Sequence, residues 1–224
     1  MHKALTFIRL DFITVKPYIT MKNLLIFAMV AIIMMISSGT SISAIAMLMV
    51  FAALYVSYPF AISEKNGIDA LYATLAIKRN KVVVGRYLYA LTVDVIAGLL
   101  AYGFSFAVMT MVRKEFNAVE SMVGTFVLIY LYSIIQAVQL PIYFKLGYAK
   151  AKFIAYLPFV GLTFIAIIAA NFLKDNFKTV QINAILDWLA ANPFLTALTA
   201  AIIWFMIMAI SCQSAKAYYS KRDF

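Results

Sequence analysis

The chain is nearly without the residues on which most protein chemistry runs. Its 224 residues include one cysteine, Cys212, and one histidine, His2. A single cysteine excludes a disulfide framework within the chain, and no Cys/His cluster exists to bind zinc. Charge is equally scarce: Asp, Glu, Lys and Arg make up 12% of residues, against about a quarter in soluble domains. No GxxxxGK[ST] phosphate loop, HExxH or GxSxG spacing occurs. Catalysis would rest on carboxylates and hydroxyls alone, so the expectation is a non-catalytic chain that needs no cofactor of its own.

What fills the chain instead is hydrocarbon. Hydrophobic residues reach 65% and the mean hydropathy is +0.94, which predicts an all-α integral membrane protein of one domain. Its apolar runs are continuous, whereas the strands of a membrane barrel alternate in and out. Six runs predict six transmembrane helices, at about residues 23–38, 42–62, 87–112, 122–143, 153–173 and 194–212. Most are long enough for a hydrocarbon core of about 30 Å, and the first needs its flanks or a thin bilayer. Ala44-Ile45-Ala46 resembles a signal-peptidase site, but apolar character resumes at Met47, so this run is read as a span.

The formal charge of +10 is explained by topology. With the N-terminus inside, all of the 19 basic residues except Arg113, Lys114, Lys174 and Lys178 fall on cytoplasmic segments. That bias puts both termini, including the 213–224 tail, in the cytoplasm and makes a nucleic-acid partner unnecessary. Near the N-terminus, Leu5, Ile8, Phe12, Val15 and Ile19 form one helical stripe flanked by Arg9 and Lys16. This predicts a helix over residues 1–20 lying in the membrane interface, with a bend at Pro17. On the outer side, Ile182, Ile185, Leu186 and Leu189 beside Trp188 predict a short amphipathic helix closed by Asn192-Pro193. Its role is either packing over the spans or substrate release.

Inside the predicted spans a carboxyl and three amide side chains stand out. Asp94 is the acidic one, and Gln136, Gln139 and Asn171 accompany it. A carboxylate in hydrocarbon must face protein or water. A structural hydrogen bond between helices is the simpler reading for all four. The alternative is a proton- or ion-coupled secondary transporter built around Asp94.

Between spans two and three lies a 63–86 island, SEKNGIDALYATLAIKRNKVVVGR. Asn66 is placed to cap a helix with Asp69 in its first turn. Ile68, Leu71, Tyr72 and Leu75 recur at i, i+3, i+4 and i+7 as an apolar face, and Lys78 and Arg79 suit the C-terminal end. Asn80 is the expected stop. The expectation is a cytoplasmic helix over 66–78, with membrane lipid or a protein cleft to meet its apolar face.

The string EKNGIDALYATLAIKRNKVVVGRYL resembles the signature of the ABC-2-type permease family of bacterial ABC exporters, closest to the small six-span permeases of the phenol-soluble-modulin exporter type. LPIYFKLGYAKAKF, residues 140–153, resembles the same family's segment between spans four and five, apart from Ala149, where an acidic residue is expected. The resemblance implies a permease subunit in the bacterial cytoplasmic membrane, exporting an amphipathic cargo such as a membrane-active peptide or a lipid-like molecule. It implies a second permease subunit, identical or paralogous, and a cytosolic ATP-binding cassette ATPase that holds ATP and Mg. It makes the 66–78 helix a coupling helix, with Glu64, Asn66, Gly67, Ile68, Asp69, Leu71, Tyr72, Leu75 and Arg79 at the ATPase contact. Gly147, Tyr148 and Lys150 belong to a second contact over 144–152, and the N-terminal helix corresponds to the family's elbow.

Overall fold

The computed structural model describes residues 2–74, 78–158, 161, 188 and 191–222. Among these it is helical, without strands: α1 (His2–Val15), α2 (Met21–Ser38), α3 (Ser41–Lys65), α4 (Ile68–Thr74), α5 (Arg79–Met111), α6 (Ala118–Leu146), α7 (Tyr148–Ala151) and α8 (Pro193–Ser220). Five of them, α2, α3, α5, α6 and α8, are long and apolar enough to cross a membrane. Most of the fifth expected span, and of the outer amphipathic segment, lies outside the described residues.

The helix ends follow local chemistry. Thr20 caps α2, its hydroxyl accepting from the Asn23 amide, and Asn117 caps α6 by accepting from the Glu120 amide. Gly39 ends α2 in the left-handed conformation, φ +72°, which lets the chain reverse into α3. Neither Pro59 in α3 nor Pro141 in α6 ends its helix. Pro193 takes the first position of α8, where a missing N–H costs nothing.

Packing of α3, α5, α6 and α8 forms the core, with Val83, Ala90, Leu140, Tyr143 and Ala215 almost fully buried. Small residues allow close approach, the dominant packing device between helices in lipid. Gly98 of α5 faces Ile129 of α6, and a Cβ there would lie 2.7 Å from the Ile129 Cδ1. Polar side chains fasten the helices across the bundle. Ser41 and Ser121 hydroxyls lie 2.6 Å apart, Tyr87 meets Ser211 at 2.6 Å, and the Trp204 indole N–H donates to Ser133 at 2.6 Å.

Helices α5, α6 and α8 extend beyond the spans expected from the apolar runs. The third was expected to begin at residue 87, yet α5 begins at Arg79, and its 33 residues extend over roughly 50 Å. Asn80 is therefore in the first turn of α5 and stops nothing. The reason is tertiary: Val82 and Val83 are buried against the bundle, so the helix gains by starting early. The last helix continues to Ser220 through the expected tail, because Ala215 and Tyr219 are also core residues. In the same way α6 continues to Leu146, with Tyr143 and Phe144 buried.

The N-terminal stripe turns inward. Phe12 meets Tyr89 of α5 edge to face at 4.9 Å between ring centroids, and Val15 is buried. Ile19 remains exposed. A stripe expected to face the membrane interface is thus shared with the chain's own bundle.

Candidate functional site

At one end of the bundle the C-terminal ends of α3, α6 and α8 meet the start of α5, with α1, α4 and α7 packed among them. Glu64 is the hub of the first part. Its Oε2 accepts from the backbone amides of Tyr148 and, at 3.1 Å, Ala149. A carboxylate there satisfies the open amides of α7. The chain reaches this position through Gly147 at φ +76°. A Cβ on Gly147 would lie 2.7 Å from Arg222 Nη2 and 3.0 Å from Glu64 Oε2, so the turn needs glycine twice over. Tyr148 also stacks on Tyr143 at 6.0 Å. The structure therefore joins two sequence segments that only a resemblance had linked.

The island folds differently from its periodicity. Asn66 closes α3, its amide donating to the Ile62 carbonyl at 3.0 Å, and Gly67 turns at φ +62° into α4. Gly67, whose carbonyl accepts from the Leu71 amide at 3.1 Å, therefore stands at the start of α4 where Asn66 was expected. Ile68 and Tyr72 pack against the chain's own core, which half-buries both, while Leu71 is 53% exposed. Leu75 lies outside the described residues, as does Asn171. Asp69 accepts from the Tyr219 hydroxyl at 3.0 Å, tying α4 to α8. Arg79 reaches the carbonyls of Tyr219, Ser220 and Arg222 at 3.2, 2.6 and 3.0 Å. A cation there complements the negative end of α8. Lys150 of α7 is exposed.

Beneath α4 is a buried ion pair that sequence reading did not single out. Arg86 of α5 is 4% exposed, its Nε lies 3.6 Å from Asp11 Oδ2, and its Nη2 donates to Ser63 at 2.5 Å. The guanidinium also sits over the Phe60 ring, 4.4 Å from the centroid. Burial pushes the Asp11 carboxyl above the usual carboxylate range; the Arg86 charge opposes this and the Asp69 charge adds to it. The pair fastens α1, α3 and α5 at one point. A signal was present: Ile8, Asp11, Phe12 and Val15 share one helical stripe. An acid amid an apolar stripe needs a buried partner.

Three of the expected intramembrane polar residues, Asp94, Gln136 and Gln139, hydrogen-bond to another segment of the chain. Gln136 Nε2 donates to Asp94 Oδ1 at 2.7 Å, with both residues wholly buried between α5 and α6. Gln139 Nε2 donates to the Ala155 carbonyl at 2.7 Å, holding the segment after α7. Among the described residues no group of three His, Cys, Asp or Glu is placed to hold a metal ion.

Five long apolar helices fastened across their faces by buried hydroxyls and amides define a multi-pass membrane protein. The family model of the ABC-2 family transporter proteins matches residues 6–218, and the chain belongs to that family. No curated protein and no solved structure matches the chain. Membership makes it a membrane subunit of the ABC transporter type, a class that generally works with an ATP-binding cassette ATPase.

Proposed function

We propose that this chain is the permease subunit of an ATP-driven exporter, with α4 and the α6–α7 turn as its contact with a cytosolic ATPase. The carrying observation is the Glu64 clamp on the Tyr148 and Ala149 amides. It makes one face of two separate connections, so a force applied to either is shared by α3 and α6. From that face Leu71 and Lys150 project outward. Asp69 and Arg79 carry the same load to the end of α8. Such a face needs no catalytic group, because ATP and Mg reside on the partner.

The remaining assignments rest on the family and on charge. The basic end faces the cytoplasm by the excess of Lys and Arg there. A second permease, identical or paralogous, completes the pathway, and an amphipathic cargo suits walls of aliphatic and aromatic residues. A proton-coupled carrier built around Asp94 is less well supported, since its buried bond to Gln136 is that of a fastener.

The test is Leu71→Asp in the full chain, co-expressed with a cytosolic ATP-binding cassette ATPase from the same genome that co-purifies with the unaltered chain. The expected result is loss of co-purification and of permease-dependent ATP hydrolysis, because a charge would enter an apolar docking groove. Undiminished complex and undiminished hydrolysis would overturn the docking assignment.

A further inference from the structure

Between α6 and α8, near the basic end, runs an open groove of about 490 Å³. Val138, Pro141 and Ile142 form one wall, Ile207 and Ile210 the other. Lys145 and Tyr218 close its end, with the Lys145 ammonium 5.1 Å from the centre of the Tyr218 ring. Lys221, three residues past Tyr218 and just beyond the end of α8, is also exposed. No acidic residue lines the groove. The carboxylate of Glu64, on the adjoining turn, is engaged by two backbone amides. The groove thus has a mostly apolar body, broken on the α8 side by Ser211 and Ser214, and a cationic mouth at one end.

We propose that this groove is a binding site for an anionic phospholipid, one acyl chain lying along Val138, Ile142 and Ile210 and the phosphate at Lys145 and Lys221. Charge complementarity selects the occupant: an anionic phosphate brings net negative charge to the two ammonium groups, whereas a zwitterionic headgroup brings its own cation to them. Lys145 supplies a phosphate donor whose stem stays on the Tyr218 ring. The site follows from the chain's being a multi-pass membrane protein and does not depend on the ATPase contact, so either can fail without the other.

The experiment uses the full chain in vesicles of phosphatidylcholine doped with diazirine-tailed phosphatidylglycerol or, separately, diazirine-tailed phosphatidylcholine. After illumination the labelled residues are mapped by mass spectrometry. Label from phosphatidylglycerol should concentrate on residues 137–145 and 207–214, with an enrichment over phosphatidylcholine of about fivefold for each lysine. Lys145→Ala with Lys221→Ala should bring it down to the phosphatidylcholine level, Lys145→Arg should retain it, and Ile210→Trp should block both probes. Equal labelling by the two lipids overturns the site, as does label spread evenly over other exposed positions such as Leu99 and Leu100. Efficient disulfide cross-linking of Ile210→Cys between two copies would assign the groove to a second chain and overturn it too.

Discussion

Arg86 shows how much one side chain can hold in a protein this poor in charge. It is buried with Asp11, Ser63 and the Phe60 ring, so removing it strands a carboxylate away from water. Arg86→Met should lower stability by about 3–5 kcal/mol at neutral pH. The loss should shrink on acidification. An unpaired buried carboxyl has a folded-state pKa above its unfolded one, so stability is present at low pH and falls as pH rises through that range. Thermal melts in detergent at neutral and acidic pH check the sign, and the double variant Arg86→Met, Asp11→Leu should recover most of the loss. For Asp94 the expectation differs. Asp94→Asn keeps an acceptor for Gln136 and should leave both the melting temperature and export nearly unchanged. Asp94→Leu leaves the Gln136 amide unsatisfied and should cost about 1–3 kcal/mol. Lost export in a well-folded Asp94→Asn protein would favour the proton-coupled reading.

At the scale of elements, the tightest constraint is the turn between α6 and α7. Gly147→Ala places a methyl against Arg222 and Glu64 and puts a non-glycine residue at φ +76°. The conformation alone costs about 1–2 kcal/mol. The expected result is a lower melting temperature together with weaker ATPase stimulation, whereas Lys150→Ala, on an exposed side chain of the same helix, should leave the melting temperature unchanged. The sequence made the long elements plain, since α2, α3, α5, α6 and α8 each contain a long apolar run with little ambiguity of period. Their ends were less legible. Residues 79–86 and 213–220 are polar enough to read as loops, and only burial of Val82, Val83, Ala215 and Tyr219 makes them helix. The Glu64 clamp was half legible: both segments stood out, but their contact spans 84 positions and no local pattern encodes it. For α4 the periodicity marked an apolar stripe. It could not tell that Ile68 and Tyr72 would turn to the chain's own core and leave Leu71 outside.

For the whole molecule the orientation is the decisive expectation. On a Cys212→Ser background, Lys150→Cys and Arg113→Cys place single thiols at opposite ends of α6 and its flanks, both exposed. A membrane-impermeant maleimide should label the Arg113→Cys protein in intact cells and the Lys150→Cys protein only after permeabilisation. The reverse pattern would invert the topology and move α4 and α7 away from any cytosolic ATPase. Both outcomes are read against the same five long helices, which fix how the two ends are separated whichever way they face.

The bond between Trp204 and Ser133 has an optical consequence. The chain has two tryptophans, so a Trp188→Phe protein emits from Trp204 alone. That indole is hydrogen-bonded across the α6–α8 interface, about one helical turn from the groove between these helices. Any parting of these helices breaks the bond and shifts the emission band, which gives a label-free signal of bundle motion during a transport cycle.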